Sequence, residues 1–244
     1  MLTKSTIKFI KSLQEKKYRK QEQCFVVEGA KSVEEVLQSD FGVEMLVASP
    51  EFVQSVESWR SNIQIFEAKP TEMAGLGDFQ SNDAALAVVR MKPKTEPVVS
   101  PNSFTLLLDD IRDPGNLGTI IRTADWYGIQ TIIASEETVD FYSPKVINST
   151  KGSFIRIHFS NADLSQVLQK QTALPVYGAF LDGEDVHTIQ FPKGGLLVIG
   201  NESKGISPTV EKFVTNRVTI PRYGKAESLN AAIATAILLD NIKR

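Results

Sequence analysis

The sequence predicts an α/β protein, with a C-terminal parallel-sheet domain preceded by a small α/β domain. Three observations carry this. Short apolar runs alternate with helical patterns along the whole chain. Runs in the second half, such as FTLLL at 104–108, are apolar throughout, as in strands buried on both faces of a parallel sheet. Between the halves, MKPKTEPVVSPNS (91–103) holds three prolines and no hydrophobic period, so it reads as a linker. A chain of 244 residues suits two modest domains. The expected division is 1–93 for the small domain, 94–102 for the linker and 103–244 for the second domain.

In the first half, residues 5–18 read as one helix, with Ile7, Ile10 and Leu13 at helical spacing. CFVVE (24–28) is a strand closed by Gly29, and 31–38 a helix with Val33, Val36 and Leu37 inward. A strand at 44–48 precedes a helix from Ser49-Pro50 to about Trp59, and 63–67 and 85–89 are further strands. In the second half, 104–108 is followed by a helix at 116–127 that stops at Gly128. A strand at 131–134, a helix opened by Ser143-Pro144, a strand at 155–159 and a helix at 164–171 follow. Strands at 176–180, 196–199 and 218–220 lead to a last helix at 229–242, with Ser228 as the expected N-cap. About six strands therefore form one open parallel sheet.

Composition narrows the function. At 42% hydrophobic and 23% charged residues, the chain can bury a core and is not disordered as a whole. One cysteine, Cys24, excludes an internal disulfide, and with only His158 and His187 beside it a zinc site of the usual kind is not expected. Cys24 reads as a buried structural thiol, and no metal is anticipated. No apolar run approaches the roughly 18 residues of a membrane span, and the N-terminus lacks the pattern of a secretory leader. A cytoplasmic protein without membrane contact is expected.

The net charge of −2 conceals a local imbalance: residues 1–20 carry +6 and the remaining 224 carry −8. Lys4, Lys8 and Lys11 share a helix face, and Lys16, Lys17, Arg19 and Lys20 follow. A cationic stripe on an acidic body is a candidate polyanion-binding face, with Lys8, Lys11, Lys16, Lys17 and Arg19 as the candidate nucleic-acid contacts.

Ligands of open parallel sheets bind beyond the carboxyl ends of the strands. Three such ends are rich in polar residues and glycine: DDIRDPGNLGTIIRTA (109–124), GNESKGIS (200–207) and IPRYGKAESLN (220–230). In the first, Asn116 is a plausible cap and Arg122 a guanidinium suited to a phosphate. In the second, Gly200 and Gly205 bracket four polar residues, and glycine lets a ligand approach the backbone. In the third, Glu227, Ser228 and Asn230 crowd a helix start. Neither the dinucleotide fingerprint nor a Walker-type phosphate loop occurs, which disfavours ordinary dinucleotide and nucleoside-triphosphate enzymes.

Taken together and in order, NLGTIIRTA, IGNESKGIS and IPRYGKAESLNAAIATAI resemble the three motifs of the SpoU (TrmH-like) family of RNA ribose 2′-O-methyltransferases, within the SPOUT superfamily. The start, KFIKSLQEKKYRKQEQCFVVEGAKSVEEVL, is similar to the ribosomal-protein-like RNA-binding domain that many members carry. The resemblance implies a deep trefoil knot in the second domain, a homodimer, and S-adenosylmethionine as methyl donor. It implies a catalytic set of Asn116, Arg122, Glu202, Ser228 and Asn230. Cofactor contacts are implied at Gly200, Asn201, Ile220, Ser228 and Leu229, largely through the main chain. Arg122 matches the arginine to which the family's general-base role is commonly given. A guanidinium, which keeps its proton in proteins, instead favours a grip on the target phosphate and stabilisation of negative charge on the 2′-oxygen. Ribosomal RNA is the expected substrate. Transfer RNA, or a catalytically silent RNA-binding protein on the same fold, are the alternatives.

Overall fold

The computed structural model describes residues 2–56, 63–78 and 84–244. These fall into two compact units: one comprises the chain through Pro93 together with Asp140–Ile155, the other Lys94–Val139 and Arg156–Arg244.

The first unit opens with two helices, α1 (Lys4–Ser12) and α2 (Lys16–Glu22), where one was expected. The break lies at Leu13–Glu15, and Arg19 accounts for it. The Arg19 guanidinium donates through Nη1 to the carbonyls of Leu13 (2.9 Å) and Gln14 (2.7 Å), which the break leaves without helical partners. Its Nη2 donates to Asp140 Oδ2 at 2.7 Å. The sheet comprises β1 (Cys24–Glu28), β2 (Val43–Ala48), β3 (Gln64–Glu67) and β4 (Ala85–Arg90), in the order β1-β4-β2-β3. The helices α3 (Ala30–Leu37), α4 (Pro50–Ser55) and α5 (Pro70–Met73) connect them. α4 ends at Ser55 with Val56 as its C-cap, short of the expected Trp59, and 57–59 lie outside the described residues. Both faces of β1 are covered, as its unbroken apolar run requires. Cys24 and Val26 join Ile10 and Leu13 in one core cluster. Phe25 points to the other side and meets the rings of Phe41, Tyr142 and Phe154 at 6.0, 4.7 and 5.8 Å. The last two come from the segment around α6 (Pro144–Thr150), which returns to this unit.

The second unit is a six-stranded sheet, all parallel, made of β5 (Phe104–Leu108), β6 (Thr131–Ala134), β7 (His158–Asn161), β8 (Val176–Asp185), β9 (Gly195–Ile199) and β10 (Asn216–Thr219). The order is β10-β8-β9-β5-β6-β7, so the chain leaves β5 toward one edge and returns as β9 on its other side. The crevice between two such strands is a topological switch point. Leu108 and Ile199 are direct neighbours, and the Asp109 N–H donates to the Ile199 carbonyl at 2.9 Å. The first two motif loops therefore leave adjacent strands at one level. For the remaining helices of this unit we write αA (Pro114–Trp126), αB (Leu164–Gln169), αC (Pro208–Glu211) and αD (Ala231–Lys243). αA begins two residues earlier than expected, because Asp113 caps it and Pro114 occupies its first position. A 3-10 turn at Ser153–Arg156 shifts β7 from the expected 155–159.

Candidate functional site

The first loop, 109–113, joins β5 to αA. Asp113 Oδ1 accepts the Asn116 N–H at 2.8 Å, which caps the helix and places Asn116 on its first turn. The second loop follows β9 and is organised by Asn201, which is 9% exposed. Its Oδ1 accepts from Ser203 N (3.0 Å), Ser203 Oγ (2.9 Å) and Lys204 N (3.1 Å), and its Nδ2 donates to the Asp110 carbonyl at 2.8 Å. Its own N–H and carbonyl pair with Gly205 at 3.0 and 2.9 Å. Asn201 thus builds the loop with every polar group it has, and any contact it makes to a cofactor is added to that structural role. Gly200 also answers a need of the loop itself: a Cβ there would stand 2.3 Å from the Gly205 carbonyl carbon. The chain itself makes the close approach.

The third loop ends at αD. Its cap is Asn230, not Ser228 as expected: Asn230 Oδ1 accepts from Ala232 N (2.9 Å) and Ile233 N (3.3 Å). Those N–H donors orient the amide, so Nδ2 faces away from the helix and donates to Asn116 Oδ1 at 2.8 Å. Asn116 is thereby oriented in turn, and its Nδ2 donates to Glu202 Oε1 at 2.5 Å, a short charge-assisted contact. One directional chain runs from the N-terminus of αD through Asn230 and Asn116 to Glu202, and three loops far apart in sequence meet in it.

Arg122 and Ser228 stand apart from this chain. Arg122 is exposed and has no hydrogen bond or ion pair among the described residues. Six residues beyond Asn116, it is turned by roughly 120° around αA and displaced by about 9 Å along it. Thr119, Arg122 and Trp126 share the exposed stripe of αA, and Trp126 is 84% exposed. Ser228 is exposed two residues before the cap. Ile220 is half-buried and Leu229 is 45% exposed, at the two ends of the third loop.

The donor set fits S-adenosylmethionine. Among the described residues, the N–H groups of 222–229 enter no backbone hydrogen bond. They remain available to a ligand held by main chain, and Ile220 and Leu229 supply apolar surface for an adenine ring.

In the small unit Lys8, Lys11, Lys16 and Lys17 are exposed, with Lys4 and Lys20 beside them. Arg19 differs: its side chain is 3% exposed and committed to Asp140 and the helix break. It is withdrawn from the RNA-facing set. Sequence reading missed its role because a cation in a basic run gives no sign of burial. His158 and His187 are exposed, and His187 Nδ1 lies 3.1 Å from Asn241 Oδ1.

A parallel sheet with polar loops converging at its switch point is the frame of a ligand-binding site, and similarity to known proteins specifies its chemistry. Residues 103–240 match the SpoU rRNA Methylase family and residues 4–87 the MRM3-like substrate binding domain. The chain belongs to the SpoU rRNA methylase family of α/β methyltransferases. It is 30% identical over 240 residues to the Bacillus subtilis 23S rRNA (guanosine(2553)-2′-O)-methyltransferase RlmP, covering 97% of this chain and 95% of that one. An AdoMet-bound rRNA methyltransferase from Sinorhizobium meliloti superposes with a TM-score of 0.89 at 30% identity, covering 99% of this chain and 95% of that one. AviRb from Streptomyces viridochromogenes, at 23% identity and a TM-score of 0.87, shares the fold over 98% of this chain and 97% of its own.

Proposed function

We propose that this protein methylates a ribose 2′-hydroxyl of large-subunit ribosomal RNA in the cytoplasm, working as a homodimer. The observation that carries the reading is the Asn230–Asn116–Glu202 chain, which ties the three motif loops together where S-adenosylmethionine would lie. The family's activity and the 23S ribosomal RNA named for the Bacillus relative support the substrate class. The trefoil knot implied by the motifs belongs to the same reading.

The cofactor, held by main-chain groups near Gly200, Ile220 and Leu229 with Ser228 at its edge, supplies an electrophilic methyl group when bound. The residues of the chain have the remaining work. Asn116 and Asn230 present oriented amides to the target ribose, and Glu202 holds Asn116 in place. Arg122 grips the phosphate beside the ribose and lowers the cost of negative charge growing on the 2′-oxygen. Positioning accounts for much of the acceleration, because a methyl transfer needs its two reactants in line at near-attack distance.

Dimerisation completes the site. Arg122 shares its stripe with the exposed Trp126, and αA packs against αD, whose Ile233 is 52% exposed. Covering Trp126 and Ile233 with a second copy would bring Arg122 to a pocket that its own Asn116 does not share. Arg122→Ala and Arg122→Lys should each lower kcat by at least about 100-fold with cofactor affinity unchanged by calorimetry. Near-normal turnover in both, at normal RNA affinity, would contradict the assignment.

A further inference from the structure

We infer that Arg112 and Lys204 form a two-cation grip for one RNA phosphate, held in position by Asp110; this rests on the proposed RNA methylation and adds a specificity element to it. Asp110 sits at the carboxyl end of β5 with φ +58°, a left-handed conformation that a non-glycine residue adopts at a cost. Each of its polar groups has a partner. Its N–H donates to Ser135 Oγ at 3.0 Å, and its carbonyl accepts from Asn201 Nδ2 at 2.8 Å. Its carboxylate takes Arg112 Nε at 2.7 Å on Oδ1 and faces Lys204 Nζ at 4.0 Å on Oδ2. Glycine would relieve the backbone strain and lose the carboxylate.

The exposures divide the roles. The Asp110 side chain is 17% exposed, whereas Arg112 and Lys204 are 62% and 69% exposed. A well-shielded anion thus presents two outward cations, and Glu137 is the further acid whose charge reaches Arg112. Only Nε of Arg112 is engaged; among the described residues its two terminal nitrogens have no partner, and Lys204 lies beyond hydrogen-bond reach of Asp110. A planar fork beside a point charge suits the oxygens of a phosphodiester. Arg112 lies four residues before Asn116 and Lys204 two residues after Glu202, so the grip rides on the loops joined by the Asn116–Glu202 contact. The phosphate it takes is therefore one near the target ribose, and its placement sets which nucleotide enters.

The test uses the full chain with S-adenosylmethionine and large-subunit ribosomal RNA. Arg112→Gln combined with Lys204→Gln should raise KM for RNA about tenfold, leave kcat within about threefold and reduce the slope of log affinity against log salt by about 1. Asp110→Asn, which tolerates the left-handed conformation, separates position from charge. It removes an anion but keeps both cations, so RNA affinity should hold or tighten, while the displaced grip holds the RNA out of line and kcat falls severalfold. Unchanged KM and salt slope in the double variant would overturn the grip, and so would an Asp110→Asn variant with full kcat. Should the wild-type chain transfer no methyl group, the functional reading fails separately. The salt slope of equilibrium RNA binding by the double variant then decides the grip alone: an unchanged slope overturns it and a reduced slope supports it.

Discussion

Asn230 does two jobs with one side chain, and they can be separated. Its Oδ1 caps αD and its Nδ2 orients Asn116. Asn230→Asp keeps the cap, since aspartate serves as well as asparagine at that position and suits the helix dipole. It loses the donor, so either two oxygens face each other or Asn116 turns its amide oxygen toward Glu202. Thermal stability should stay within about 0.5 kcal/mol of wild type while kcat falls at least about 30-fold. Asn230→Ala should also cost roughly 1 kcal/mol of stability. Calorimetry beside a methylation assay reads both, and an active Asn230→Asp variant would show that the directional chain does not matter. The motif resemblance pointed to Asn116, Glu202 and Asn230, but which atom donates to which followed only from the cap. Asn201 shows the opposite case: its place in the motif suggested a ligand contact, whereas its side chain shapes the loop. Composition does not distinguish a polar residue that binds a ligand from one that binds its own loop.

At the scale of elements, the period of Ile7, Ile10 and Leu13 located the first helix correctly. It could not show the break at Leu13–Glu15, because the partner that satisfies the freed carbonyls, Arg19, is anchored 121 residues away at Asp140. Arg19→Ala should cost about 3 kcal/mol, through two carbonyls left unpaired and a half-buried carboxylate left with the Tyr142 N–H alone. Denaturant unfolding would measure it, and a loss under about 1 kcal/mol would mean that water replaces the guanidinium readily. The exposed lysines should behave in the contrary way. Neutralising Lys8, Lys11, Lys16 and Lys17 should leave the folding midpoint nearly unchanged while weakening RNA binding and flattening its salt slope. An unchanged slope would move the RNA contact off α1 and α2. The strands of the parallel sheet were legible because double-sided burial forces continuous apolar runs, as in β5 and β9. The short helices α5 and αC escaped notice, since four residues carry no period.

For the molecule as a whole, the sequence suggested a division at the proline-rich stretch after Val89. The compact units part between Pro93 and Lys94, and Asp140–Ile155 returns to the first unit, supplying Tyr142 and Phe154 to the rings around Phe25. Pattern reading along a chain does not reveal such a return. Burial raises the Tyr142 hydroxyl above its ordinary value of 10.0, and burial likewise raises the Cys24 thiol above 9.0. Both groups fold as their neutral forms. Their contribution to stability is complete below the unfolded values and is lost as pH rises through the higher folded ones. The first unit should therefore destabilise on the alkaline side, and Tyr142→Phe should flatten part of that limb in a pH series of unfolding midpoints. An alkaline limb identical in the variant would mean that Tyr142 ionises without resistance from its surroundings.

The most direct measurement is incubation of the purified chain with labelled S-adenosylmethionine and total RNA from cells lacking the protein, followed by mapping of ribose methylation. Label is expected at a single 2′-oxygen in the large-subunit ribosomal RNA, and none with Asn116→Ala. Label on a base, on transfer RNA alone, or undiminished with Asn116→Ala would contradict it.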